Sequence, residues 1–168
     1  MSQIKVNSLV PTGGLVTGAF GGIIQTVSET KTDTNSTSST SFVDTGLSAS
    51  ITPSSTNNKI WIVSSIYWSH TGGPAMVLNL VRNSTNISQP AVTSGAYAGT
   101  VSAWVREDSL SSHTITFLDS PTFTLGDTFT YKIQWKSTNG GSIFLNRFAL
   151  NTSEYHGTST ISLFEVSG

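Results

Sequence analysis

The stretch from Ser41 to Trp68 constrains the fold of this chain more than any other. It predicts two β-strands joined by a polar turn. In residues 47–51 apolar and polar side chains alternate, which is the period of a strand with one buried face. Pro53 has no amide hydrogen and ends that strand, and the run of Ser, Thr and Asn at 54–58 favours a turn.

The second strand of this stretch, residues 59–68, is apolar on both faces. One face carries Ile60, Ile62, Ile66 and Trp68, and the other carries Trp61, Val63 and Tyr67. Both faces of such a strand must be covered in the folded protein. A single exposed sheet would leave one face of this strand open, so the folded protein must place another layer against it.

Short strand patterns recur along the rest of the chain. We predict them at residues 23–29, 75–82, 97–107, 113–117, 128–136, 143–150 and 159–166. Turn residues separate them about every 8 to 12 positions, and no segment has a convincing helical period. About nine strands without a helix are typical of an all-β fold, an antiparallel β-sandwich or barrel.

The turns and loops follow from the residues between these strands. Polar runs at 30–39 and 83–99 predict two long loops. Asn139-Gly140-Gly141 is a strong hairpin signal. We therefore expect residues 143–150 to pair back on 128–136.

The composition excludes several functional classes. Only 10% of the 168 residues are charged and the net charge is −1, while 28 serines and 25 threonines supply most of the polarity. Without a basic patch we expect no binding to nucleic acid. No apolar run approaches the roughly 20 residues of a membrane span, so we expect no membrane insertion. The absence of cysteine excludes a disulfide framework.

Several predicted strands are apolar on both faces. They are residues 60–68, 75–82, 143–150 and 160–166. A two-layer sandwich covers only one face of each strand. In a chain without helices another copy of the same chain is the simplest cover, and cyclic assembly is its common form. We therefore predict a homo-oligomer.

Residues 1–22 differ from the rest of the chain. Their apolar side chains include Ile4, Val6, Leu9 and Val10. Pro11 and several glycines then interrupt any regular pattern. The segment is either a frayed terminus or an extended arm that docks on a neighbouring protein. The predicted organisation is an N-terminal docking arm at 1–22 and a β-sandwich at 23–168.

Three stretches of the chain, read together, carry a resemblance. They are GGIIQTVSETKTDT, STSFVDTGLSASITPSSTNNKIWIV and GTSTISLFEVSG, with IFLNRF shortly before the last. They resemble a module common in structural proteins of marine and cyanobacterial bacteriophages, often tail-fibre or other virion proteins. The opening, MSQIKVNSLVPTGG, resembles the start of many fibre-type proteins. The middle of the chain, 69–120, resembles no module.

The resemblance implies a jelly-roll-like β-sandwich, usually a homotrimer, displayed on a phage particle. It implies synthesis in the bacterial cytoplasm and attachment to another virion protein through residues 1–22. The leading functional prediction is a virion structural protein, either a fibre-type module, a tail-associated part or a capsid decoration. One alternative is a tip that binds a host glycan or receptor, and another is a depolymerase that cleaves surface polysaccharide.

Aromatic side chains beside predicted loops are the candidate ligand contacts, because an aromatic face can stack on a sugar ring. They are Trp104, Tyr97 and Tyr155. Packing within the domain is the alternative role for these rings. The other three tryptophans lie within strong strand patterns and are predicted to be core.

We predict no catalytic, metal or cofactor site. The three histidines stand far apart, and none lies at ligand spacing from another histidine or a carboxylate. Glu107-Asp108 is the only adjacent carboxylate pair in the sequence, and Asp119 is the one further candidate. A glycosidase needs two carboxyl groups that face one cleft, whereas neighbours in a strand point to opposite faces.

Glu165 lies between two apolar residues in the last predicted strand. It is either exposed on the outer face or paired with Arg147 across a sheet or a subunit boundary. The second alternative follows because a buried charge needs a partner.

Overall fold

The computed structural model describes residues 22–106, 109–150 and 155–168. Within these ranges the chain is all-β, and two antiparallel sheets pack against each other. This confirms the predicted β-sandwich. The predicted arm, except for Gly22, lies outside the described residues.

The described chain forms eleven strands. In chain order they are β1 (Ile23–Lys31), β2 (Asn35–Thr37), β3 (Val43–Ile51), β4 (Lys59–His70), β5 (Met76–Arg82), β6 (Thr85–Ile87), β7 (Val101–Ala103), β8 (Ser111–Asp119), β9 (Phe129–Ser137), β10 (Ile143–Leu145) and β11 (Ser159–Val166).

The strands divide into two sheets. Sheet A contains β1, β2, β4, β8, β10 and β11. One edge of β4 pairs with β8, the other pairs first with β11 and then with β10, and these two pair with β1 and β2. Sheet B contains the other five strands. There β9 lies between β3 and β5, and the far edge of β5 pairs with β7 and β6.

The core lies between the inner faces of the two sheets. Every second side chain of β11 and of most of β9 is buried, which is the burial period of strands with one face on the core. Trp68, Trp135 and Tyr131 are the largest of the fully buried side chains. Burial of one large apolar side chain contributes about 1.5–3 kcal/mol, so these inner faces supply most of the stabilisation.

Strand β5 is buried on both faces, as predicted, but the chain itself supplies the second cover. Val77 and Val81 on its outer face are buried. The segment 88–100 crosses this face, where Gln89 donates a hydrogen bond from Nε2 to Oδ1 of Asn79 over 3.1 Å. The inference that another copy must cover this strand was therefore wrong.

The Asn139-Gly140-Gly141 turn does not form the predicted hairpin. After it the chain crosses to sheet A, where β10 pairs with β4 and β2 and not with β9. The amide of Thr71 donates to the carbonyl of Ser142 over 3.0 Å and holds the crossing chain beside β4. Turn residues specify a reversal of the chain, but they do not specify which strand receives the returning segment.

The remaining boundaries differ from the predictions at the sheet edges. The predicted loops 30–39 and 83–99 contain the short strands β2 and β6, and the predicted strand 97–107 is reduced to β7. Each of these strands has three residues; β6 and β7 pair with the longer β5, whereas β2 pairs with the equally short β10. Whether such a short strand forms depends on its pairing partner more than on its own sequence pattern.

Candidate functional site

The outer face of sheet A is the candidate functional surface. Of the outward positions on its four long strands, only Lys59 at the start of β4 is charged. The others are Ile23, Thr26, Ser28, Thr30, Trp61, Val63, Ser65, Tyr67, Ser69, Ser112, Thr114, Thr116, Leu118, Thr160, Ser162, Phe164 and Val166. Hydroxyl and β-branched side chains suit a pleated surface, so the same residues that form the strands make this face neutral.

One end of this face carries an apolar patch, formed by Ile23, Trp61, Leu118, Phe164 and Val166. The rings of Trp61 and Phe164 lie 5.1 Å apart between centroids. The side chain of Trp61 is 38% exposed, and those of Leu118 and Ile23 are about half exposed. The patch surrounds a shallow depression of about 380 Å³. The prediction that Trp61 belongs to the core was therefore wrong.

The outer face of sheet B has a different character. Asp44 accepts hydrogen bonds from Lys132 over 2.9 Å and from Gln134 over 2.8 Å. The hydrogen bond from Lys132 holds the pKa of Asp44 below its usual range, although partial burial opposes this. This face is charged where it is open and is covered by segment 88–100 elsewhere. The four long strands of sheet A therefore present a broad face with little charge, and the guanidinium of Arg147 stacks on Phe144 beside it, on the short strand β10.

The other end of the outer face of sheet A carries two adjoining depressions. The first has a volume of about 480 Å³ and is lined by Thr32, Tyr67, His156, Gly157 and Thr158. A second depression of about 350 Å³ adjoins it at His156. That depression is lined by Leu110, Phe148, Tyr155 and His156. We use the name aromatic groove for the two together.

Backbone hydrogen bonds fix the walls of the aromatic groove. The amide of Phe148 donates to the carbonyl of Tyr155 over 2.9 Å, and the amide of Gly157 donates to the carbonyl of Asn146 over 3.1 Å. The amide of Asn146 donates to the carbonyl of Tyr67 over 2.9 Å. The groove is therefore tied to β4 and preformed.

Asn146 is the central support of this groove. It has a positive φ of 59° and a fully buried side chain. Its Nδ2 donates to the carbonyls of Lys31 and Asp33, and its Oδ1 accepts from the hydroxyl of Ser159 over 2.6 Å. Asparagine tolerates this backbone conformation better than most residues. One side chain thus joins the end of β1, β11 and the groove.

The three aromatic residues predicted as ligand contacts are all exposed but do not converge. The ring of Tyr155 lies in the aromatic groove, 5.6 Å from that of Phe148 in an edge-to-face arrangement. Tyr97 lines a depression in segment 90–98. The ring of Trp104 stands 6.4 Å from that of His70. The sequence thus pointed to one member of the groove and missed its partners, although it placed Tyr67 on the outer face of β4.

The predicted pair of Arg147 and Glu165 is not formed within the chain. The guanidinium of Arg147 stacks 4.0 Å above the centre of the Phe144 ring and donates to the carbonyl of Phe148. Glu165 is fully buried. Its carboxylate lies on the inner side of β11, at the opposite end of that strand from Ser159, which donates a hydrogen bond to Asn146, the residue before Arg147.

Neutral donors satisfy the Glu165 carboxylate. Its Oε1 accepts from the amide of Ser54 at 2.6 Å, from the Ser54 hydroxyl at 2.8 Å and from Nδ2 of Asn58 at 2.6 Å. Burial raises the pKa of Glu165, but the hydrogen bonds from Asn58 and Ser54 outweigh it, so the net pKa is lowered. This carboxylate therefore fastens the turn after β3 to β11.

The histidines are not gathered into a metal site. His113 accepts a hydrogen bond at Nδ1 from Nε1 of Trp68 over 2.9 Å, and Nε2 of buried His70 lies 2.6 Å from the carbonyl of Val105. Among the described residues no three His, Asp or Glu side chains come together as metal ligands.

The carboxylate candidates for glycoside cleavage offer no pair in the described chain. Asp119 is held by NH1 of Arg82 at 2.6 and 2.8 Å and by the hydroxyl of Tyr131 at 2.7 Å. These contacts join β8 of sheet A to β5 and β9 of sheet B. Asp119 therefore has a structural role, while Glu107 and Asp108 lie outside the described residues.

No protein-family model matches this chain, and no curated protein matches it. The resemblance to phage structural proteins thus remains a prediction from its motifs. Where the chain is described, no helix has the length and apolar character that a membrane crossing needs. The arm residues Ile4, Val6, Leu9 and Val10 lie outside the described residues.

Proposed function

We propose that this protein is a structural component of a bacteriophage particle, a trimeric jelly-roll sandwich that is attached through its N-terminal arm. The observation that carries the proposal is the neutral outer face of sheet A, with its exposed apolar patch. The proposed cover of the apolar patch, at one end of this face, is another copy of the chain.

The charge pattern of the two sheets supports self-association through sheet A. Interface cores are depleted in charged residues, because burying an unpaired charge is costly. The long strands of sheet A present one charged residue outward, Lys59, at the margin of the face. Two copies of a neutral face approach each other without like-charge repulsion. The outer face of sheet B, with Asp44 and Lys132, is less suited to this role.

The strand order supports the jelly-roll assignment. When the short edge strands are grouped with their neighbours, sheet A reads β1-β11-β4-β8. Sheet B reads β3-β9-β5 followed by β6 and β7, which pair with the same edge of β5 and together count as one strand, so each sheet has four. The described chain changes sheet six times, before and after β3, after β4, before and after β8, and after β9. Eight strands in two such sheets are the pattern of a jelly roll, an architecture of viral capsid and lectin domains.

The position of Gly22, which follows the predicted arm in the sequence, supports attachment at one end of the sandwich. Residues 1–21 lead directly to Gly22, whose carbonyl accepts from the amide of Ser167 over 3.1 Å. The next residue, Ile23, belongs to the apolar patch. An arm that starts here reaches a neighbouring virion protein from the same end of the molecule as the proposed subunit contacts.

Purified particles provide the test of this function. We expect mass spectrometry and immunogold labelling to find the protein on phage particles. A chain without residues 1–21 should be missing from particles but remain a folded oligomer when expressed alone, because β1 begins at Ile23. Particles that lack the full-length protein would contradict the proposal, and unchanged incorporation of the truncated chain would contradict the role of the arm.

A further inference from the structure

We propose that the aromatic groove at the end of sheet A binds the pyranose ring of a saccharide. The groove is distinct from the apolar patch at the other end of the sheet. The inference therefore does not depend on self-association, and it adds a binding activity to the proposed structural role.

The aromatic rings of the groove supply a stacking surface. The Tyr155 side chain is 59% exposed, so one face of its ring remains open. Phe148 supports that ring edge to face. A pyranose presents a patch of C–H groups on one side, and such a patch packs on an open aromatic face. Tyr155 is therefore the proposed stacking residue.

Polar groups line the same groove and match the hydroxyl rim of a sugar. Thr32 and Thr158 offer hydroxyl groups and Tyr67 offers a phenol, while His156 forms part of the same wall. Each of these groups can donate or accept a hydrogen bond, as sugar hydroxyls do. The described lining has no carboxylate, which disfavours a metal ion or an amine. Aromatic and hydroxyl groups together point to a saccharide.

The groove is preformed, and Gly157 keeps it open. A Cβ at Gly157 would lie 2.8 Å from Cγ of Tyr67 and 2.9 Å from its Cδ1. Any side chain at this position would therefore displace the Tyr67 ring. The backbone hydrogen bonds through Asn146 hold both walls in place before a ligand arrives, which reduces the ordering cost of binding.

The experiment uses the full chain with a glycan array, followed by saturation-transfer NMR with methyl glucoside, galactoside and mannoside. We expect at least one pyranoside to bind, with magnetisation transfer strongest at the C–H groups that face Tyr155. Tyr155→Ala should raise Kd about tenfold, which corresponds to about 1.4 kcal/mol. Gly157→Val should also weaken binding, since it displaces Tyr67.

Two matched controls test whether the groove itself is responsible. Leu125→Ala and Val92→Ala remove similarly exposed apolar side chains elsewhere on the molecule and should leave Kd unchanged. Circular dichroism establishes that every variant is folded. The proposal is overturned if no glycan on the array or pyranoside binds, if Tyr155→Ala binds as the wild type does, or if the controls lose binding equally. None of these outcomes depends on the oligomeric state.

Discussion

Single polar side chains decide how the two sheets and the turns of this sandwich are joined. Asp119 connects Arg82 and Tyr131 across the sheets, Glu165 holds the turn after β3, and Asn146 supports the aromatic groove. Each is buried and each is satisfied by several hydrogen bonds. Removing one partner of such a group leaves others unpaired, at a cost of about 1–3 kcal/mol.

His113 makes the stability of the protein depend on pH at the level of one residue. Its Nδ1 accepts a hydrogen bond from Nε1 of Trp68, so this nitrogen must carry no proton. Burial lowers the pKa of His113 below its ordinary value of 6.5. The unfolded chain therefore takes up this proton more readily than the folded protein does. The neutral His113 side chain therefore contributes its full stabilisation above the ordinary pKa, and this stabilisation is lost as the pH falls below that value.

We therefore expect His113→Gln to reduce the acid sensitivity of the protein. Gln keeps a hydrogen-bond acceptor for Trp68 but does not titrate. Between neutral pH and about pH 5 the free energy of unfolding should fall less in the variant than in the wild type. Urea denaturation at both pH values measures the fall in the free energy of unfolding for each protein. The effects of the other titrating groups are the same in both proteins and cancel in the comparison. An equal fall in both proteins would contradict this account.

At the scale of elements, the long strands were predictable. β4, β9 and β11 lie close to their expected positions because each is a run rich in β-branched and aromatic residues, bounded by turn residues. The three-residue strands and the destination of β10 were not predictable, because they depend on pairing partners distant in sequence. The packing of segment 88–100 on β5 was not predictable either, since a loop sequence does not reveal the surface on which the loop lies.

The close contact between segment 88–100 and β5 can be tested at Gly99. A Cβ at this position would lie 2.3 Å from Cγ1 of Val77 and 2.7 Å from the carbonyl oxygen of Leu78. Because backbone cannot move aside easily, we expect Gly99→Ala to lower the free energy of unfolding by about 1–3 kcal/mol. Chemical denaturation provides the measurement.

Gly22 is the matched control for this substitution, since a Cβ there would meet nothing within 4 Å. Gly22→Ala should change the stability by less than about 0.5 kcal/mol. If Gly99→Ala were equally mild, segment 88–100 would not pack on β5 as described.

At the scale of the whole molecule, a single copy of the chain leaves the neutral outer face of sheet A uncovered. The sequence argument for oligomers rested on four doubly apolar strands, and the structure removes β5 from that argument. What remains is the face formed mainly by β4, β8 and β11, with Trp61, Leu118, Phe164 and Val166 at one end. The proposed trimer therefore rests on this one surface.

We expect Leu118→Ser to shift the proposed trimer towards monomer. The substitution removes apolar area from the β8 side of the patch, and each loss of about 1.4 kcal/mol raises a dissociation constant tenfold. Sedimentation velocity over a range of concentrations measures the change. Leu125→Ser is the matched control, because Leu125 is also exposed but lies outside this face. A wild-type protein that is monomeric at every concentration would contradict the trimer.

The sequence by itself determined the fold class and most of the core, because alternation of apolar and polar residues depends only on the local geometry of a strand. It also determined that the protein would be poor in charge and rich in hydroxyl groups. Only the tertiary structure decided which strands are neighbours, which apolar face the chain covers itself and which one it leaves open. The aromatic groove belongs to this second group, since its walls come from the end of β1, from β4 and from residues 148–158, and only long-range pairing brings them together.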